Sequence, residues 1–371
     1  MQFIIKRDIL LKSLGFVQGV VEKKNTLPIL SNVLIELKNK KLQIIATDLD
    51  LIFYDEIEEV KVVTEGSTTT SAAILYDILR KISSNSELSF ELKSENKLSL
   101  KSDNSDFNLL CLPIDNFPTF DNKFENEEFE LSNKRFLKLL NKTRIAISND
   151  DTRHYLNGIF IHLTEAGGKN YLTGVATDSH RLSSSSLEIE SPGNFISFIL
   201  PKKTVFQLCS LLSENDGKLN IQIGENKIKF ALGKTTLISK VIDGKFPDYK
   251  KVVPTNNDKV LTVSTKDFIN SIERVASVSI DRKEGVKLNI NKGIMHLSVT
   301  SANSGDGNEK IKANFNAENL TISFNSKYLI DIANEIEDSN LKMNLKDPTS
   351  PVLVQDNSDK NSYYVIMPMK I

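Results

Sequence analysis

The sequence predicts an α+β protein of three repeated domains, each with helices packed on antiparallel sheets. Three observations predict it. One order of segments is written three times: an amphipathic stretch (9–21, 136–147, 268–278), an alternating block (42–48, 171–178, 294–300) and a second helical stretch (74–82, 205–212, 329–336). The spacing is nearly constant, with Asp48 to Asp178 at 130 residues, Ile74 to Val205 at 131 and Val205 to Leu329 at 124. A repeat of that length is one domain with its own core, and it overrules a single compact enzyme domain. Within each copy the apolar period also switches from three or four to two.

The elements follow in order. In the first copy Ile9–Val21 reads as a helix and Leu42–Asp48 as a strand. Ser71 is placed to cap the helix over Ile74–Ile82, because its hydroxyl can accept from a free N–H of the first turn. Glu87–Leu92 and Lys97–Leu100 alternate and form half-buried antiparallel strands. In the second copy Ser132 precedes the helix over Phe136–Ile147, and Tyr171–Asp178 is the alternating block. Pro201 suits the first helical position before Lys202-Lys203-Thr204-Val205, where its missing N–H costs nothing. Leu219–Ile223 alternates again. In the third copy Ser264-Thr265-Lys266-Asp267 opens a helix whose apolar residues Phe268, Ile269, Ile272, Val275 and Ala276 share one face. Asn325 caps the helix that carries Leu329–Ile336, and Leu341–Leu345 is a closing strand. Phe117-Pro118 and Phe246-Pro247 mark the links, 129 residues apart. The domains are therefore expected at 1–125, 126–254 and 255–371.

Composition narrows the class. An apolar share of 40% and a charged share of 26% describe a globular protein. No run of 18 apolar residues is present, and the N-terminus lacks the apolar core of a signal peptide, so a cytoplasmic protein with no membrane role is expected. Cys111 and Cys209 lie in apolar stretches and read as small buried hydrophobes of a reducing compartment; two cysteines cannot build a four-ligand zinc site. The net charge of −1 does not mark a nucleic-acid binder. Its distribution says more: Lys134, Arg135, Lys138, Lys142 and Arg144 cluster on one helix, Lys202-Lys203 begins another, and Arg80-Lys81 ends a third.

Catalytic motifs fail one by one. Gly233-Lys234-Thr235 resembles the end of a phosphate loop, but Ile228 stands where its first glycine belongs. Gly305-x-Gly307 lacks a third glycine, since position 310 is Lys, and no Gly-x-Ser-x-Gly elbow occurs. Asp178, Ser179 and His180 are adjacent, so they point apart and cannot form a triad among themselves. His154, His162, His180 and His296 make no helical metal-ligand pair. No catalytic residue, metal or cofactor is expected. Thr177-Asp178 recurs as Thr47-Asp48 and belongs to the scaffold. Ser179-His180-Arg181-Leu182 is special to the middle copy and reads as a binding site. A repeat-built scaffold with no DNA role and a hydrolase using His180 are the alternatives.

Five blocks resemble one family: Leu27–Asn32, Arg153–Gly158, Ala176–Leu182, Phe246–Tyr249 and Tyr364–Ile371. Together, and in order along the whole chain, they are similar to the bacterial sliding clamp, the β subunit of DNA polymerase III. The resemblance implies three similar domains per chain and two chains joined head to tail as a homodimeric ring, with helices lining the hole and strands forming the wall. It implies a non-enzymatic processivity factor on double-stranded DNA, held without sequence preference, that tethers the replicative polymerase's catalytic subunit, the clamp loader and other clamp-motif proteins of replication and repair.

The resemblance also implies residue roles. Partner peptides would meet Arg153, Tyr155 and Leu156, then Thr177, Ser179, His180, Arg181 and Leu182. Pro247, Lys251 and Val252 would add a loop, and Asn325 and Tyr328 a helix start. Val365, Met367, Pro368, Met369 and Lys370 would supply the tail, whose flexible thioethers adapt to varied side chains. DNA contacts would come from Lys24, Arg80, Lys202 and Lys203, with His154 and Tyr155 on a loop. Phe107 and Leu109 of the first domain would face Ser277 and Val278 of the third across the dimer interface. Asp103 and Asp106 on the first side, with Lys310 and Lys312 near the third, imply partly reversed interface charges. The departures are Lys24 for a frequent Arg, Asp150 for Gln, His154 for Tyr, Ser179 for Gly, and Lys251 and Lys370 for Arg.

Overall fold

The structure, a computed structural model, describes residues 1–22, 27–120, 124, 128–190, 195–279 and 285–370. The first copy contains β1 (Gln2–Lys6), α1 (Arg7–Val17), β2 (Asn32–Lys38), β3 (Lys41–Thr47), β4 (Leu51–Ile57), β5 (Val60–Thr64), β6 (Gly66–Ser71), α2 (Ala72–Lys81), β7 (Glu87–Ser94), β8 (Lys97–Ser102) and β9 (Ser105–Leu112). The second contains β10 (Glu128–Ser132), α3 (Asn133–Arg144), β11 (Gly158–Ala166), β12 (Lys169–Thr177), β13 (Arg181–Ile189), β14 (Phe198–Pro201), α4 (Lys202–Glu214), β15 (Lys218–Ile223), β16 (Lys227–Leu232) and β17 (Thr235–Lys240). The third contains β18 (Lys259–Ser264), α5 (Thr265–Ala276), β19 (Gly285–Asn291), β20 (Gly293–Ser301), β21 (Gly305–Phe315), β22 (Leu320–Asn325), α6 (Ser326–Asn334), β23 (Asn340–Leu345), β24 (Val352–Gln355) and β25 (Ser362–Ile366).

Local rules account for the ends. Ser71, Ser264 and Asn325 each accept from the backbone N–H three residues on, at Ile74, Asp267 and Tyr328. Two expectations are corrected. Pro201 closes β14, paired with Gly158, and α4 begins one residue later. The first helix ends at Val17 instead of Val21, because the chain turns there through Gly19 N–H to Phe16 C=O and Val20 N–H to Val17 C=O.

Every copy holds two antiparallel four-strand runs of the same order, and the first copy adds β5 beside β1. In the second copy they are β14-β11-β12-β13 and β10-β15-β16-β17. The chain divides into two compact units that do not coincide with the copies: residues 1–137 with 203–241, and 138–202 with 242–371. Each unit is one continuous sheet. In the first, β17 of the second copy pairs with β4 of the first, Ile238 opposite Ile52. In the second, β25 of the third copy pairs with β13 of the second, Val365 opposite Leu182.

The two junctions repeat one apolar cluster. In the first unit Leu30, Ile45, Ile52, Phe117 and Ile238 are packed together. In the second, Leu156, Val175, Leu182, Phe246 and Val365 occupy the matching places. Their burial excludes water from the paired strands and is the main stabilising contribution there. Gly158 starts β11 because the Leu200 carbonyl oxygen stands where a Cβ would lie. Gly158→Ala is expected to lower stability by about 1–3 kcal/mol, since backbone rather than a flexible side chain must shift. Urea unfolding of the purified variant measures it, and an unchanged midpoint would contradict the close approach.

Cys111 and Cys209 are buried, as expected of small apolar side chains. Among the described residues no helix is long and apolar enough to cross a membrane, and no three His, Cys, Asp or Glu side chains converge to hold a metal ion.

Candidate functional site

The site forms in the second unit, where β13 meets β25. A turn at the start of β13 sets it. Asp178 Oδ1 accepts from the N–H groups of His180 (3.0 Å) and Arg181 (2.9 Å), and Thr177 Oγ1 accepts from Ser179 N–H (3.1 Å). Thr47-Asp48 builds the same turn in the first unit, with Asp48 Oδ1 accepting from Asp50 and Leu51. Leu49 and Ser179 both sit at positive φ, 82° and 75°, which explains why glycine suits this position. Ser179 compensates with its side chain, whose Oγ accepts from Arg153 Nη1 at 2.5 Å.

Four groups of side chains surround this turn. Leu156, Leu182 and Val365 are almost fully buried and form the apolar floor with Phe246 and Tyr249. The tail leaves β25 and is tied on both sides: Met367 N–H donates to His180 C=O (2.8 Å) and Met369 N–H to Ser323 C=O (2.7 Å). The Met367 and Met369 side chains stay exposed, on either side of Pro368. Arg181, 8% exposed, lays its guanidinium over the Tyr328 ring at 4.2 Å, and His180 stacks on the same ring at 6.4 Å. A cleft of about 410 Å³ adjoins, lined by Lys251, Val252, Pro254, Lys346, Pro351 and Met367.

The sequence-predicted residues therefore converge, but several have building roles. Thr177 shapes the turn, Asn325 caps α6, and Arg153 is partly engaged, with Nε on Asp150 Oδ2 (2.9 Å) and Nη1 on Ser179. Asp150 is more than a departure from the family pattern. The Thr152 hydroxyl and N–H, then Arg153, hold its carboxyl below the usual range, and it caps the 151–156 turn. Pro247 is exposed beside buried Phe246, Lys251 pairs with Asp248 (3.1 Å), and Lys370 is exposed on the tail.

Sequence reasoning missed the support layer. Phe160 stacks between Phe246 (5.0 Å) and His162 (4.6 Å), and His162 Nε2 lies 3.1 Å from the Tyr249 hydroxyl. Burial lowers the His162 pKa and raises that of Tyr249, keeping both neutral at pH 7. The alternation of Phe160 and His162 on β11 was the available signal. Asp331 was missed too: its Oδ2 accepts from Arg181 Nη1 at 2.7 Å, 150 residues away, and nothing local announces that.

The DNA residues fall as follows. Lys24 lies outside the described residues. Arg80 lies in the last turn of α2 with an exposed side chain 4.0 Å from Asp77. Lys202 opens α4 and donates to Asn149 Oδ1. Lys203 is anchored within the first unit by Asp48 (2.6 Å), Val20 C=O (2.8 Å) and Glu22 (3.4 Å). His154 is exposed and edge-on to Tyr155.

Of the interface residues, Phe107 lines a cleft of about 690 Å³ with Ile74 and Ile78. Leu109 is buried in its own unit at 7% exposure, and the outward apolar side chain of β9 is Leu110, 82% exposed. Alternation along β9 puts Phe107 and Leu109 on one face of the strand and Leu110 on the other. Ser277 is exposed and Val278 partly so.

Three copies of one α+β domain, joined sheet edge to sheet edge with a groove at the copy junction, define a DNA clamp, a binding scaffold and not an enzyme. Models of the DNA polymerase III beta subunit match throughout: its N-terminal domain over residues 1–121, its central domain over 130–248 and its C-terminal domain over 250–370. The beta sliding clamp of Caulobacter vibrioides is 35% identical over 375 residues, covering all of both chains. The Bartonella birtlesii sliding clamp bound to griselimycin superposes with a TM-score of 0.95 at 39% identity over all of both chains. The Pseudomonas aeruginosa clamp bound to griselimycin gives 0.92 at 32%, again over both complete chains. The chain belongs to the DNA polymerase III β subunit family, the bacterial sliding clamps. It is a non-catalytic processivity factor of DNA replication, encircling DNA and tethering polymerase.

Proposed function

We propose that two copies of this chain close head to tail into the ring that encircles duplex DNA, and that the groove of the second unit takes peptide segments of the polymerase catalytic subunit, the clamp loader and other clamp-binding proteins. One observation carries the ring. Between copies, β17 pairs with β4 and β25 pairs with β13. Their counterparts at the two ends of the series are β9 and β21. Among the described residues β9 meets β6 only at Cys111 and Leu112, and β21 meets β18 only at Asn314 and Phe315. Residues 105–110 and 305–313 thus keep one open edge each, and an open edge pairs readily with another chain. A second copy supplies the missing strand at both places, and such heterologous contacts close by symmetry.

The side chains agree with this pairing. Phe107 and exposed Leu110 lie on β9, while Val278 lies 3.4 Å from where a Cβ on Gly307 of β21 would be. In this pairing Lys310 and Lys312 of β21 would meet Asp106 on β9 of the neighbour. The boundaries near 125 and 254 follow the same reading; the first lies outside the described residues, and the second falls in the irregular link before β18. The site of action is the cytoplasm.

DNA contacts from Lys24, Arg80, His154, Tyr155, Lys202 and Lys203 would be sequence-independent and weak, as sliding requires. Light scattering at micromolar concentration is expected to give the mass of two chains, and loaded protein should stay on nicked circular DNA until the circle is linearised. A monomer mass, or equal retention on linear DNA, overturns the ring. Griselimycin, which the two relatives bind, is expected to bind the groove of this chain.

A further inference from the structure

We propose that Asp331 is a positioning residue of the groove, acting on a bound peptide only through Arg181 and Tyr328; this rests on the groove reading above. Arg181 is buried at 8% exposure, and a buried guanidinium is stable only when its charge is matched and its N–H groups are satisfied. Two carboxylates meet it: Asp178 at 3.2 Å from Nε and Asp331 at 2.7 Å from Nη1. Asp178 already holds the turn through the N–H groups of His180 and Arg181. Asp331 makes no other described hydrogen bond, so its carboxylate is dedicated to Arg181.

The helix supplies the geometry. Asp331 stands three residues after Tyr328 on α6, so the two side chains share a face. Tyr328 slides its ring under the guanidinium while Asp331 grips the guanidinium from the side. The α6 cap at Asn325 fixes the helix start that carries both. The ring, half-buried and covered on this side by Arg181, is thereby held in one orientation toward the groove. The first unit shows that the arrangement is not generic scaffold: there the turn aspartate Asp48 takes Lys203 from α4, and Gln207, matching Asp331 at the repeat spacing, instead donates to Phe16 C=O.

Calorimetric titration with griselimycin tests the inference. Asp331→Ala is expected to weaken binding about tenfold or more, Asp331→Asn about threefold, and Asp331→Glu less than twofold, with thermal melts establishing that each variant is folded. In a Tyr328→Leu background Asp331→Ala should cause no further loss. Full-strength binding by folded Asp331→Ala, or an equal loss in the Tyr328→Leu background, overturns the positioning role. Absence of binding by the unsubstituted protein would overturn the groove reading itself, a different result.

Discussion

Removing residues 367–371 is expected to abolish griselimycin and partner-peptide binding while leaving the fold in place. Strand β25 ends at Ile366, so its ladders to β13 and β24 survive the cut. Among the described residues, what is lost is two backbone hydrogen bonds, from Met367 to His180 and from Met369 to Ser323, and two exposed thioethers. Each such hydrogen bond contributes about 0.5–1.5 kcal/mol net, so Tm should fall by only a few degrees. Binding should suffer far more. The tail forms a wall of the groove, and removing a central contact typically costs about 2–4 kcal/mol, roughly 30- to 1000-fold in affinity. Calorimetry on the truncated protein measures it; affinity within threefold of the full chain would show that the tail is not part of the site.

Lys142→Met should destabilise the second unit by about 3–5 kcal/mol at neutral pH, because it leaves the buried Asp356 carboxylate without its cation and half-exposed Glu337 with Lys138 alone. The Lys142 side chain is only 4% exposed, and its ammonium donates to Glu335 C=O and lies 3.1 Å from Glu337 and 3.9 Å from fully buried Asp356. Burial opposes ionisation of Asp356 most strongly, yet the Ser358 hydroxyl, the N–H groups of Glu337 and Ser358 and the Lys142 charge together lower its pKa. Glu337 is lowered likewise, burial again opposing and Lys138 and Lys142 prevailing. Groups held low contribute their full stability above the unfolded pKa, about 4, and lose it as pH falls through the folded value. In Lys142→Met the same carboxyls lack this help, and protonation relieves them. The gap between the two proteins is therefore expected to shrink below about pH 5. Urea unfolding at pH 7 and pH 4 measures it; an equal gap at both would place the loss in packing rather than charge.

Much of the fold was legible because its signals are short-range. The Ser71, Ser264 and Asn325 caps and the paired Thr-Asp turns are hydrogen bonds spanning two or three residues, and each was readable from residue type. The groove was legible differently. Ser179-His180-Arg181-Leu182 stood out as unique to one copy, and the resemblance supplied the rest. The sequence reading went astray where the answer depended on facing or distance: Pro201 belongs to a strand, and the contact of Asp331 with Arg181 spans 150 residues.

The sequence by itself determined that there are three copies, what kind of element each segment forms, and that only the middle copy carries the distinctive strand end. Tertiary structure decided how the copies join. Their strands share one pattern of alternation, so the edge of β25 could by composition pair within its own copy or with a neighbour. Only packing of Leu182, Val365 and Phe246 into one dry cluster selects β13, and selecting it divides the middle copy between two sheets. The same choice brings Arg181 to Asp331 and Tyr328, and so turns a scaffold repeat into a binding groove.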